Sequence, residues 1–344
     1  MTVNLFSDTQ TRPTEAMRRA MAEAEVGDEQ RFDDPTVNEL QERVAALLGK
    51  EAALLLPSGT MCNAIGFRLH VRPGGDEVIL DRTSHPVQYE AGGPAALSGA
   101  MLHVLDGDGG IFTGAQVEAA VRPPGDRYGP RSRLVSVEQT TNIGGGRVWP
   151  QEALRAVVEV ASRHGLRSHL DGARLMNAVV ASGVPAADHA RGFDTAWLDF
   201  TKGLGAPVGA VLAASRELID EAWRYKQMLG GAMRQAGVLA AAALHALDHH
   251  VERLATDHAN ARRLATGLAE IDGVRIDPDR VETNIVICEV ADAHEVCGRL
   301  WEHGVQLTPL DAQRLRAVTH LDVDEAGIER ALEEFRQVLE GPGD

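Results

Sequence analysis

An α/β protein is predicted, with a mostly parallel sheet buried on both faces and a smaller α+β unit after it. Two observations predict the sheet. Short apolar runs recur through the first 250 or so residues without the polar alternation of a half-exposed sheet. Segments with apolar residues at helical spacing separate several of these runs. A third observation predicts the second unit: beyond about residue 250 the order becomes helix, strand, helix, strands, helix.

Taken in order, "TVNELQERVAALLG" (36–49) has the helical pattern and "AALLLP" (52–57) is a short apolar run. "SGTMCNAIGFRLHV" (58–71) opens as a turn and continues as a helix. "EVILD" (77–81), "MLHVL" (101–105), "RLVSVE" (133–138), "RSHLD" (167–171), "TAWLDF" (195–200) and "GAVLAAS" (209–215) are predicted buried strands, with a helix at "QEALRAVVEVASRHG" (151–165). "HHVERLATDHANARRLATGLAEI" (249–271) is predicted as one long helix. "TNIVICEV" (283–290), "VQLTPL" (305–310) and "LRAVTHLDV" (315–323) are predicted strands, and "AHEVCGRLWEHG" (293–304) and "EAGIERALEEFRQVLE" (325–340) helices. The expected division is a large domain, 1–250, and a small C-terminal domain, 251–344.

Composition narrows the function. With 34 basic and 50 acidic residues the formal charge is −16, which argues against a nucleic-acid partner. No apolar run of about 18 residues predicts a membrane span, and the N-terminus lacks the apolar core and cleavage site of a signal peptide. A cytoplasmic location is the expectation. Cys62, Cys288 and Cys297 form no C-x-x-C pair, so neither a disulfide framework nor a zinc site is expected. No H-x-x-x-H pair carries a helical glutamate, so no metal is assigned.

Lys202, in "AWLDFTKGLGAPVGAVLAAS" (196–215), sits among apolar and glycine residues after a predicted buried strand. A lysine there either reaches solvent with its head group or has an amine that is chemically used, as a Schiff-base nucleophile. Asp171 ends the strand in "HLDGARLMNA" (169–178), with Arg174 three residues on. By itself the aspartate could simply cap the next helix. In open α/β sheets, however, ligands sit outside the carboxyl ends of strands. A carboxylate that keeps a pyridinium protonated and a lysine that holds the same ring's aldehyde is the logic of a pyridoxal phosphate site. "PSGTMCN" (57–63) then offers an anion cradle of helix N–H groups with the hydroxyls of Ser58 and Thr60, while Gly59 admits close approach. Thr201 adds a hydroxyl and Arg234, in "GGAMRQAG", a cation. His85, in "DRTSHPVQYEAGG", could stack on a flat ring or move protons; a structural loop histidine is the alternative.

Taken together and in this order, "SDTQTRPTEAM", "GDE…DDPTVNELQ", "KEAALLLPSGTMCN", "HPVQYEAGG", "SVEQTTNIGGG", "HLDGARLMNAV", "TKGLGAPVGA", "LGGAMRQAG" and "AVTHLD" resemble the low-specificity L-threonine aldolases over nearly the whole chain. These are pyridoxal 5'-phosphate enzymes of the aspartate aminotransferase fold (fold type I), with a mostly parallel seven-stranded sheet. The resemblance implies that Lys202 is the Schiff-base lysine and Asp171 the partner of the ring nitrogen. It places Ser58, Gly59, Thr60 and Arg234 at the phosphate and His85 on the ring. Arg174, Ser7 and Arg316 are placed at the ring oxygen and substrate carboxylate; if Ser7 and Arg316 reach one pocket, residues 1–15 pack at the active site and the chain termini fold over the large domain. It also implies a homodimer or homotetramer, and retro-aldol cleavage of a β-hydroxy-α-amino acid to glycine and an aldehyde.

The sequence departs from the family at three places. Thr141 stands where a histidine is usual, Gln227 (beside Lys226) where a lysine is common, and Arg31 or Phe32 where a tyrosine is common. Tyr89 keeps an aromatic position. A threonine is no base near neutral pH, so proton removal from the β-hydroxyl would pass to His85 or water. Arg31, if it faces the pocket, would favour an acidic substrate side chain; otherwise threonine remains the substrate. Competing expectations are β-elimination or racemisation on the same scaffold, or a catalytically silent binding protein.

Overall fold

The computed structural model describes residues 2–340. Its strands are β1 (Val3–Asn4), β2 (Ala52–Leu56), β3 (Asp76–Asp81), β4 (Met101–Leu105), β5 (Arg131–Glu138), β6 (Arg167–Asp171), β7 (Thr195–Asp199), β8 (Ala210–Ala214), β9 (Ile285–Glu289), β10 (Val305–Gln306), β11 (Thr308–Pro309) and β12 (Arg314–Val318). Seven of them form one sheet in the order β2-β8-β7-β6-β5-β3-β4. Only β8 runs against its neighbours, pairing antiparallel with both β2 and β7. The mostly parallel sheet is as expected.

Alternate residues of these strands enter different cores, as a two-sided sheet requires. Leu54 and Leu56 pack with Cys62, Ile65, Ile219 and Ala222 from the helices Gly59–His70 and Arg216–Met228. Ala53 and Leu55 join Leu40, Val44 and Ala240 on the opposite face. A separate core lies under the antiparallel sheet β11-β12-β9 and the helices Ala293–Glu302 and Glu325–Glu340. That core also takes in Val3 and Leu5, because β1 pairs in parallel with β10.

Two elements differ from expectation. The segment 249–271 is not one helix. The helix Gly237–His249 stops and a new one runs Leu254–Leu268. His250, at the break, is tied to the Leu204 carbonyl through Nδ1 at 2.7 Å. "VQLTPL" splits into β10 and β11, which pair with different partners. Pro309 cannot donate to a ladder and lies on an edge strand. No helix of the described residues is long and apolar enough to cross a membrane, and no group of three or more His, Cys, Asp or Glu among them could hold a metal ion.

Candidate active site

The carboxyl ends of β5, β6 and β7 carry Glu138, Asp171 and Asp199, and the helix Gly59–His70 starts just after the carboxyl end of β2. Lys202 lies three residues past β7, with its side chain 17% exposed and its Nζ paired with Asp199 Oδ2. Asp199 Oδ1 accepts from Thr201 N at 2.8 Å and Thr201 Oγ1 at 2.7 Å. The amine is therefore tolerated because a buried carboxylate three residues earlier neutralises it, a partner that strand patterning did not reveal. Lys202 Nζ also sits 5.9 Å from the Trp197 ring centroid.

Ser58 caps its helix by accepting from Met61 N at 3.2 Å, while Thr60 stays exposed. A Cβ at Gly59 would lie 2.4 Å from Trp197 Cη2, so the glycine makes room for the indole.

Asp171 is buried, and Asn63 Nδ2 donates to its Oδ2 at 2.8 Å. Burial raises its carboxyl above the ordinary value, against the Asn63 hydrogen bond. The same Asn63 nitrogen donates to Glu90 Oε1 at 2.7 Å, and Glu90 Oε1 faces His85 Nδ1 at 2.9 Å. Burial works to lower the His85 imidazole, but the Glu90 hydrogen bond and the charges of Asp171, Glu90 and Glu138 outweigh it and raise it. Glu138 accepts from the backbone N–H of His85 at 2.7 Å and of Asn142 at 2.6 Å. Burial and the neighbouring Asp171 push its carboxyl up to about 7.

The N-terminal segment closes one side. Thr11 Oγ1 donates to the Lys202 carbonyl at 3.0 Å. Ser7 is buried and caps the turn Asp8–Gln10. Asp8 forms a buried bidentate pair with Arg174 at 2.8 and 2.7 Å and accepts from Asn284 at 3.1 Å. Burial would raise the Asp8 carboxyl, yet Arg174 holds it well below the usual carboxylate range. Arg316, on β12, is also buried. Its Nε has no hydrogen-bond partner among the described residues. Burial and the charge of Arg174 lower its pKa.

Of the other expected residues, Tyr89 lies beside His85, while Arg234 and Arg31 pair with acidic neighbours. Arg234 is 64% exposed and pairs with Asp28 at 3.2 Å. Arg31 is 77% exposed and lies 3.4 Å from Asp33, which gives no support to an acidic substrate side chain. Tyr89 is exposed, with its ring centroid 5.6 Å from that of His85. Thr141 is buried, and its hydroxyl accepts from Arg147 N at 3.1 Å, so it serves a turn. Lys226 is wholly buried and pairs with Glu29 at 2.8 Å.

Asp8, Asn63, Glu90, Glu138 and Asp199 were not singled out from the sequence. Their signals were present: Asp8 adjoins Ser7, Glu138 and Asp199 end predicted strands, and Asn63 is one helical turn from Gly59.

Residues 4–293 match the family model described as beta-eliminating lyase. The chain is 43% identical to the probable low-specificity L-threonine aldolase 2 of Arabidopsis thaliana, over 98% of this chain and 97% of that one. It is 37% identical to the low specificity L-threonine aldolase of Escherichia coli strain K12, over 98% and 99%. The structure of Leishmania major threonine aldolase superposes with a TM-score of 0.83 over 98% of this chain and 99% of that one, at 20% identity, a likeness of fold.

Proposed function

The chain belongs to the beta-eliminating lyase family, within its low-specificity L-threonine aldolase group, and from that premise we infer its reaction. It is a carbon–carbon lyase of fold type I that uses pyridoxal 5'-phosphate to cleave L-threonine-type β-hydroxy-α-amino acids to glycine and an aldehyde. One observation carries this reading at the site. The buried Asp171 and the Asp199-paired Lys202 stand at the ends of neighbouring strands, and Arg316, whose buried Nε has no hydrogen-bond partner among the described residues, feels the charges of Arg174, Asp8 and Glu138.

These residues fit the cofactor. Asp171 would hold the ring nitrogen, Lys202 the aldehyde carbon, His85 the ring face, and the N-terminus of the helix Gly59–His70 the phosphate. When bound, the cofactor supplies an electron sink for the pair released as Cα–Cβ breaks. Arg316 would bind the substrate carboxylate, which answers the unsatisfied Nε. Arg174 spends its Nε hydrogen and one Nη2 hydrogen on Asp8, so Nη1 and the second Nη2 hydrogen are what it offers the site. The Nδ1 of His85 is committed to Glu90, so only Nε2 can exchange a proton. The Glu90 hydrogen bond and the charges of Asp171, Glu90 and Glu138 favour the protonated form of His85. Water, or His85 when neutral, would take the β-hydroxyl proton.

The reading includes a homodimer or homotetramer in the cytoplasm. The exposed Arg234 and Tyr89 are groups a second copy would cover, and three buried free cysteines suit a reducing compartment.

The test is product analysis with L-threonine and the cofactor. Glycine and acetaldehyde in equal amounts are expected, and Lys202→Ala should abolish both products and the cofactor's visible absorbance. Ammonia with a keto acid, or the opposite enantiomer, would replace the aldolase reading with elimination or racemisation.

A further inference from the structure

One face of the helix Gly59–His70 is polar where a buried sheet would ordinarily meet apolar side chains. Gly59, Asn63, Gly66 and His70 follow one another at spacings of four, three and four, so they share a helical face. Opposite them stand His169 and Asp171 of β6 and Thr195 and Trp197 of β7, each pair two apart and so on one side of its strand. The glycines accommodate this layer. A Cβ at Gly66 would lie 2.4 Å from His169 Cε1, as one at Gly59 would strike Trp197.

The hydrogen bonds within the layer have a forced direction. Trp197 Nε1 can only donate, and it meets Asn63 Oδ1 at 2.9 Å, which fixes the amide orientation. His169 Nε2, 3.0 Å from the same oxygen, must therefore also donate. Burial lowers the His169 pKa to about 3, so the ring is neutral and its Nδ1 accepts. Its partner at 2.8 Å is the Thr195 hydroxyl, which thus donates to His169 and accepts from His70 Nε2 at 3.0 Å. Every donor in the line points toward Asn63. The amide nitrogen of Asn63 then delivers one hydrogen to Asp171 and the other to Glu90, the residue that holds His85.

We propose that the line His70–Thr195–His169–Asn63 is a directed hydrogen-bond relay that keeps the Asp171 carboxylate ionised and aimed at the cofactor ring nitrogen, with Asn63 and His169 as positioning residues. Hydrogen bonds in a chain polarise one another, so donors stacked behind the Asn63 carbonyl strengthen what its amide gives to Asp171. Burial alone would favour a protonated Asp171, which could not hold a protonated ring nitrogen. The relay opposes that tendency without bringing a second charge into the core. It goes beyond the assigned ring-nitrogen role of Asp171 by naming what sustains it, and it rests on the cofactor reading.

The test uses the full-length protein loaded with pyridoxal phosphate. Thr195→Val removes the central hydroxyl at nearly constant volume, and Asn63→Ala removes the delivering amide. Phe67→Leu is the control, because Phe67 packs edge-on against His169 at 5.7 Å and takes no part in the hydrogen bonds. The readouts are cofactor Kd and the pH titration of the bound cofactor's visible absorbance. The relay predicts about a tenfold weaker Kd or more for Thr195→Val, with a shifted titration, and wild-type behaviour in both for Phe67→Leu. Thr195→Val suffices if Asn63→Ala does not fold. A wild-type Kd and titration in Thr195→Val, or equal changes in Thr195→Val and Phe67→Leu, would overturn the relay. Failure of the wild-type protein to take up the cofactor would instead overturn the cofactor assignment.

Discussion

Arg316 and Glu138 bear charge in opposite ways. Arg316 is a cation buried beside another cation, with Nε unsatisfied among the described residues. A charge-assisted hydrogen bond is worth about 1.5–3 kcal/mol, so Arg316→Ala should lower kcat/KM by about 10–100-fold, mostly through KM. An unchanged KM for L-threonine would remove Arg316 from substrate binding. Glu138 is a carboxyl raised from 4.5 to about 7. Folded, it keeps a proton that the unfolded chain has already released between those values. The stability this contributes is complete below about pH 4.5 and is lost as pH rises through about 7. Glu138→Gln stays neutral throughout, so its Tm relative to wild type should rise between about pH 5 and about pH 8. A pH-independent difference would show that Glu138 does not titrate in this range. Sequence patterning found Lys202 and Asp171 because an ionisable group at the end of an apolar strand stands out. It passed over Glu138 and Asp199, equally placed, because a strand-end acid is also what an ordinary turn would carry.

The helix Gly59–His70 shows why local patterning reaches an element before its purpose. Its existence and its start at "SGT" were readable from spacing and cap chemistry. The close fit of Gly59 and Gly66 against the sheet was not, because it depends on Trp197 and His169, more than 100 residues away in sequence. Helix propensity predicts that Gly66→Ala would stabilise the protein by about 1 kcal/mol. The 2.4 Å approach to a buried, hydrogen-bonded imidazole reverses the sign. Gly66→Ala should destabilise by about 1–3 kcal/mol, read as a fall in the urea midpoint at constant slope. A rise in midpoint would mean that His169 can yield. The break at His250 was hidden for a similar reason. The segment contains neither glycine nor proline at that point, and the ring's bond to Leu204 is a tertiary contact.

At the scale of the whole molecule, the stretch from Val3 to Thr11 joins the core under the antiparallel sheet to the segments that carry Arg174 and Lys202. Val3 and Leu5 are buried with the C-terminal helices, Asp8 meets both Arg174 and Asn284, and Thr11 bonds the Lys202 backbone. The recurrence of apolar runs made the mostly parallel sheet legible, and the antiparallel sheet β11-β12-β9 lies wholly beyond residue 250, where the rhythm changes. Two-residue strands such as β1 and β10 carry no such signal, so only the resemblance, by setting Ser7 beside Arg316, brought this N-terminal strap toward the site. Leu5→Ala should cost about 2–5 kcal/mol and should also raise KM for the amino acid, because the same strap positions Asp8. A loss of stability with KM unchanged would separate the strap from the site.

The pairing of Val3 with Val305 also sets an order of events on the ribosome. The nascent Val3–Leu5 segment must wait for a partner about 300 residues downstream, roughly 15–60 s at ordinary elongation rates. The segments that carry Asp171 and Lys202 emerge long before then. The arginine that would meet the substrate carboxylate, and the strap that docks beside it, come together only once residues 305–316 have been made. Cofactor capture can therefore precede substrate competence while the chain is still being made.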